Sequence, residues 1–168
     1  MKTHTNVIHQ DEQPWTGLVQ GKGFRCRRKS FSGAAAAHKL GCSLFEVPPG
    51  ASAFPYHYHC ANEEAIYVLD GEGTLRLGEA EVALRKGHFV ALPPGKQCAH
   101  RLVNSSDRPL LYLCFSTMEE PEVSIYPDSK KFGVMVGAAP GGAREKRTLS
   151  AAFKLASEVP YLEDEPDA

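Results

Sequence analysis

The sequence predicts an all-β fold, and three observations predict it. Glycine and proline punctuate the chain heavily, with fifteen glycines and twelve prolines in 168 residues. The runs between them are short and carry β-branched and aromatic residues at strand-like alternation. The connections are turn-like and recur at regular intervals, which suggests a sandwich or small barrel and argues against a βαβ arrangement.

Strands are expected near Cys42–Val47, Ala53–His59, Ala65–Asp70, Thr74–Leu77, Glu81–Leu84, His88–Leu92, Ala99–Asn104 and Leu110–Ser116. The turns between them read Pro48-Pro49-Gly50, Gly71-Glu72-Gly73, Gly78-Glu79, Lys86-Gly87, Pro93-Pro94-Gly95 and Ser105-Ser106-Asp107. The two ends read differently. Residues 1–38 are polar and weakly patterned, and Ala34–Ala37 starts at most one helical turn, because four alanines do not hold a helix alone. Beyond a further strand at Val123–Tyr126, the glycines and proline at 137–142 predict a loop. Ser150–Ser157 (SAAFKLAS) predicts a short helix, with Phe153 and Leu155 free for packing. Glu163 to Ala168 form an acidic, frayed end. The length fits one domain: an N-terminal extension over 1–38, a barrel over 39–127, and a C-terminal extension over 128–168 packing on the barrel.

Composition excludes several classes of function. Nineteen basic side chains nearly balance twenty acidic ones, for a net charge of -1, so nothing draws the whole chain to nucleic acid or anionic membrane. Arg25, Arg27, Arg28 and Lys29 form the one basic cluster; a solvated strand face accounts for it, with an anion or partner contact as the alternative. Five scattered cysteines with no C-x-x-C pair argue against a disulfide framework or a zinc ribbon. Met1 to Trp15 is polar, with no apolar core of a signal peptide, and no run approaches the ~18 apolar residues of a spanning helix. The expectation is a reduced cytoplasmic protein with no nucleic-acid or membrane partner.

Chemistry concentrates in Pro55-Tyr56-His57-Tyr58-His59-Cys60-Ala61-Asn62-Glu63-Glu64. Side chains two apart on a strand share a face, so His57 and His59 point one way while Tyr56 and Tyr58 point the other. The turn over 60–63 then returns the chain so that Glu64 opens the next strand beside them. Two imidazoles and one carboxylate on one metal leave open coordination positions.

The order Gly50, His57, His59, Glu64, Gly71 resembles the first sequence motif of the cupin superfamily: a Gly, then His-x-His, then Glu, then Gly. The order Gly87, Pro93, Gly95, His100, Asn104 resembles the second, which supplies a third histidine. The resemblance implies an RmlC-like double-stranded β-helix, or jelly-roll barrel, with one divalent metal per chain on His57, His59, Glu64 and His100. Two intervals depart from the family pattern: six residues separate Gly50 from His57 where five are usual, and four separate Gly95 from His100 where two are usual. Glu63 competes with Glu64, but on one strand they face opposite sides, and the interval to Gly71 favours Glu64. His88 reads as a turn residue, Asn104 as a strand-end residue, and His4, His9 and His38 are assigned no role. Tyr126-Pro127-Asp128-Ser129 is similar to a segment found after the barrel in a subgroup of small bacterial cupins.

If Glu64 points inward, Ile66 and Val68 share its face, and Leu102 shares that of His100, giving a partly apolar pocket. Phe54, Phe89, Tyr112 and Phe115 are candidate walls. The resemblance implies a metal-dependent enzyme acting on a small oxygen-bearing molecule. With iron it would be a dioxygenase, and with zinc, manganese or iron as Lewis acid an isomerase; nickel and copper also suit the ligands. No cofactor beyond the metal is expected. No catalytic base is assigned, and Glu63, Tyr67 and Lys96 are the nearest candidates. Lys96 and Arg101, near His100, either meet an anionic substrate or face solvent. The alternative is a non-catalytic small-molecule binding or sensing module, although residues 1–38 are too short for a helix-turn-helix. Single-barrel cupins commonly pair, so a homodimer is also expected.

Overall fold

Among the described residues, the strand pattern is realised as thirteen short strands, and the helical segments between them are 3-10 turns. The computed structural model describes residues 4–21 and 23–166. The parts of the expected extensions that fall on residues 1–3, 22, 167 and 168 lie outside the described residues.

In chain order the strands are β1 (Thr16–Gln20), β2 (Phe24–Ser30), β3 (Leu40–Val47), β4 (Tyr58–His59), β5 (Glu64–Asp70), β6 (Glu72–Leu77) and β7 (Ala80–Arg85). They continue as β8 (Phe89–Leu92), β9 (His100–Val103), β10 (Leu110–Thr117), β11 (Glu122–Tyr126), β12 (Lys131–Val136) and β13 (Leu149–Lys154). A six-stranded sheet runs β1-β2-β3-β10-β5-β8, a four-stranded sheet β13-β12-β11-β4, and a three-stranded sheet β7-β6-β9. Every named ladder is antiparallel. Phe45, Val47, Val68, Leu110 and Tyr112 from the six-stranded sheet meet Leu75, Leu84 and Leu102 from the three-stranded sheet in one apolar core. Alternation explains the selection: Ile66 and Val68 are buried on β5 while Tyr67 between them is exposed.

The chain passes from one sheet to the next at Gly71, where φ is +79°. A Cβ there would sit 2.5 Å from the Pro109 carbonyl oxygen. Only glycine meets both demands.

Both ends differ from expectation. Thr16–Gln20 and Phe24–Ser30 are paired strands that extend the large sheet. Charged residues crowd β2 (FRCRRKS), so the face of Cys26 keeps only Phe24 and Cys26 as apolar residues and the period-2 signal is lost. The basic cluster divides by parity. Arg27 makes a two-pronged contact with Glu46 across the strand pair at 2.6 and 2.7 Å. Lys29 is buried, donating to the Gln10 carbonyl at 2.8 Å beside Trp15, while Arg28 points to the inner face. Ala34–Ala37 forms one hydrogen-bonded turn, stopped at Ala36 with φ 54°.

The helix expected over Ser150–Ser157 is corrected: Leu149–Lys154 is a strand, followed by a 3-10 turn at Leu155–Ser157. Six consecutive residue pairs with β12 outweigh the helical preference of two alanines. The strand expected over Ala53–His59 shrinks to Tyr58–His59, with isolated bridges at Ser52 and His57. Pro55 lacks the N–H that a continuous ladder would need.

Candidate metal centre

Three segments of chain bring the histidines together. His57 and His100 face each other across an antiparallel bridge, His57 N–H donating to the His100 carbonyl at 3.1 Å and His100 N–H to the His57 carbonyl at 2.8 Å. Their ring centroids lie 4.6 Å apart. The longer interval after Gly95 is absorbed by a 3-10 turn at Lys96–Cys98, so His100 still reaches the bridge. His59 is held in register opposite Ser124 of β11. Glu64 begins β5 and points inward with Ile66 and Val68, whereas Glu63 is exposed.

The ligand-type atoms of His57, His59 and Glu64 all lie within 4.8 Å of one another. Glu64 Oε2 is 3.4 Å from His59 Nε2 and 3.3 Å from His100 Nε2. All three histidines are buried. A backbone carbonyl fixes the tautomer of two of them. His57 Nδ1 donates to the Pro55 carbonyl at 2.8 Å and His100 Nδ1 to the Cys98 carbonyl at 2.9 Å. A carbonyl only accepts, so each Nδ1 carries the hydrogen and each Nε2 keeps its lone pair. His59 Nε2 is fully buried and makes no hydrogen bond. An orphaned acceptor beside two like it and a carboxylate is what a divalent cation satisfies. The residues present therefore fit a metal.

Electrostatics point the same way. Burial, followed by the neighbouring His100, pulls His57 down to about 4. Burial also opposes charge on His59, but the Glu122 and Glu64 carboxylates overcome it and lift that ring to about 9. Burial would raise Glu64, yet the His100 and His59 imidazoles beside it hold it well below the usual carboxylate range. The Glu122 and Glu64 carboxylates thus favour positive charge beside His59, while His57 stays neutral.

Behind His59 stands Glu122, fully buried, with Oε1 3.5 Å from His59 Nδ1. The Cys60 and Asn62 backbone N–H groups donate to its two oxygens at 3.0 Å each, and the Asn62 amide also donates to it. Ser124 Oγ lies 3.4 Å from the same His59 nitrogen. Against burial, His59 first and then the Asn62 amide and the Cys60 N–H keep Glu122 below its ordinary pKa, so an ionised carboxylate backs His59 Nδ1–H.

A cleft with about 310 Å³ of space open to water leads to the cluster. Leu18, Phe54 and Met135 supply apolar wall, and Tyr126 stacks on His57 with ring centroids 5.9 Å apart. A smaller recess behind His57 and His100 is lined by Ile66, Leu102 and Tyr112, as expected from strand parity. Val68 is plain core. Phe89 is 63% exposed and belongs to neither cavity, and Phe115 is half-buried outside them. Glu63, Tyr67 and Lys96 are exposed and do not line the cleft. Arg101 lines the recess and donates to Ser52 Oγ at 3.0 Å. His88 closes its turn by accepting the Arg85 N–H, and Asn104 is a buried strand-end clamp on the Val47 and Arg108 carbonyls.

Sequence reasoning missed Glu122 and Ser124, and it did not place Tyr126 in the site. A signal was present: Glu122, Ser124 and Tyr126 alternate along β11, and the strand was read as starting one residue late. Arg28, which also lines the cleft, belongs to the basic cluster for which an anion contact was the alternative reading, whereas Arg144 and Arg147 carried no such signal.

Comparison with known proteins agrees with this architecture. Residues 43–116 match the family model described as a cupin domain. An uncharacterized protein of Methanocaldococcus jannaschii is 33% identical over 70 residues, covering 42% of this chain and 54% of that one, so the match spans about half of that relative. A crystal structure described as a candidate sugar phosphate isomerase from Acidithiobacillus ferrooxidans superposes with a TM-score of 0.77 at 24% identity, covering 93% of this chain and 96% of that one. A sugar phosphate isomerase of the cupin superfamily from Silicibacter pomeroyi gives 0.76 at 20% identity, covering 90% and 94%. At these identities the two structures establish shared fold. With that match and the shared jelly-roll fold, residues 43–116 of this chain form a cupin domain, and the histidine-rich pocket lies inside its barrel.

Proposed function

We propose that this protein is a metal-dependent enzyme that binds one divalent ion through His57, His59, Glu64 and His100 and acts on a small oxygen-bearing molecule. The observation that carries the reading is the buried, partnerless Nε2 of His59, set 3.4 Å from Glu64, with ligand atoms of His57, His59 and Glu64 all within 4.8 Å of one another. When bound, the ion supplies Lewis acidity toward a ligand oxygen.

The remaining work falls to the chain. Pro55 and Cys98 carbonyls hold two imidazoles in the ligating tautomer, and Glu122 holds the third. Leu18, Phe54 and Met135 give the cleft apolar lining that would shield a bound molecule from water. Tyr126, against His57, brings a phenol that is protonated at neutral pH to the cleft wall and so can pass a proton to or from a ligand oxygen. That group favours proton transfer of the isomerase type over oxygen insertion. The description borne by the Acidithiobacillus and Silicibacter proteins, sugar phosphate isomerase, supports the same choice.

The test is metal-loaded protein incubated with small hydroxy-carbonyl compounds in deuterated water, followed by proton NMR. The reading predicts exchange beside the carbonyl that is abolished in His59→Ala. It also predicts a fall of about 100-fold in Tyr126→Phe with metal retained. Compounds that bind without exchange or consumption would make the barrel a binding module, and oxygen uptake would make it a dioxygenase.

A further inference from the structure

Arg28 lies on the inner face of β2, two residues from the core residue Cys26 and in register with the buried Phe45. Inner faces of small barrels hold apolar side chains, so a guanidinium there calls for a reason. Its outward neighbour Arg27 is matched by Glu46 at 2.6 Å, and Arg76 by Asp128 at 2.8 Å. Among the described residues, Arg28, Arg144 and Arg147 have no carboxylate within the 4.0 Å of an ion pair. All three line the cleft that leads to the histidine cluster, together with Glu64 as its one carboxylate.

Arg147 is fixed in place. Its Nε donates to the Ala138 carbonyl at 3.1 Å and its Nη2 to the Ala139 carbonyl at 2.8 Å, which leaves other N–H groups uncommitted. Burial, followed by repulsion from Arg144 and Arg28, lowers its pKa, so the three cations lie within electrostatic reach of one another. Like charges gathered without a counter-ion are relieved by a bound oxyanion, and the planar guanidinium matches carboxylate and phosphate oxygens.

We infer that Arg28, supported by Arg144 and Arg147, binds an anionic group of the ligand. The substrate class is then a small molecule bearing a carboxylate or phosphate beyond the oxygens that meet the histidine cluster. The inference rests on the functional reading above for the second half of the ligand, while the arginine site stands on its own residues.

The experiment uses the full chain in two states. In nickel-loaded protein, calorimetry compares lactate, which has a hydroxy acid alone, with malate and phosphoglycerate, which add a carboxylate or a phosphate. The expected result is that malate or phosphoglycerate binds about tenfold or more tightly than lactate. That advantage should be lost in Arg28→Gln and reduced in the exposed-site variant Arg144→Gln, with nickel stoichiometry and melting temperature unchanged. Whichever of the two binds better identifies the anion. In metal-free protein, phosphorus NMR of inorganic phosphate should show line broadening by wild type that disappears in Arg28→Gln. Equal binding of all three probes, or an advantage and a broadening that survive in both variants, overturns the inference. If nickel does not bind at all, the metal reading fails, and the phosphate broadening alone decides the arginine site.

Discussion

Glu122 contacts His59 Nδ1 with one carboxylate oxygen that also accepts the Cys60 N–H, while Asn62 occupies the other. An amide in its place must turn its NH2 group toward one of those donors. Glu122→Gln should therefore lower metal affinity about 10- to 100-fold. Chelator competition measures this, and unchanged affinity would remove Glu122 from the metal site. The cysteines divide by environment. Cys26 is buried, and burial raises its thiol to about 11 despite Arg28, whereas Cys60 is exposed. An aromatic disulfide reagent at mildly alkaline pH should label Cys60 first and leave Cys26 unlabelled until the protein unfolds; early labelling of Cys26 would contradict the packing. The folded state holds the Cys26 proton to a higher pH than the unfolded chain does. Its stabilising contribution is therefore present below the ordinary value of 9.0 and is lost as pH rises toward about 11. At this scale the ligand set was legible, because His57, His59 and Glu64 lie within eight residues and strand parity fixes their direction. Glu122 lies 63 positions beyond His59, and only the β4–β11 pairing joins them.

The strand elements were legible where apolar and polar residues alternate, as in β5 and β10, and illegible where the outer face is crowded with charge. β2 reads as a basic run because Arg27 finds its partner on β3 and Lys29 under the N-terminal segment, neither of which is local in sequence. β13 reads as a helix because its alanines carry no β preference, and its strand form comes from β12. The corner between β5 and β6 makes a sharper prediction. Gly71→Ala places a methyl against the Pro109 carbonyl at a backbone angle that alanine resists. The expected loss is about 1–3 kcal/mol, read as a lower melting temperature. Wild-type stability in that variant would mean that the chain turns this corner differently.

For the whole molecule, the cupin barrel was legible from the order of its glycines and histidines, which constrains strands far apart in sequence. Association is a matter of the surface. Among the described residues, Leu149, Phe153, Leu155, Val159, Tyr161 and Leu162 of the C-terminal segment are exposed, and none of the described helical segments is long and apolar enough to cross a membrane. Apolar residues gathered on and beyond an edge strand favour pairing of two chains. Sedimentation should find a dimer that Tyr161→Ser with Leu162→Ser weakens, and a monomer at all concentrations would contradict this. The proposed metal site rests on the buried His59 imidazole, whose Nε2 has no partner among the described residues. The most direct test is metal content per chain in protein purified without chelator and after anaerobic reconstitution, for wild type and His59→Ala. One divalent ion per wild-type chain is expected, lost in the variant. A wild-type chain that takes up no metal, or a variant that keeps it, would contradict metal binding at these residues.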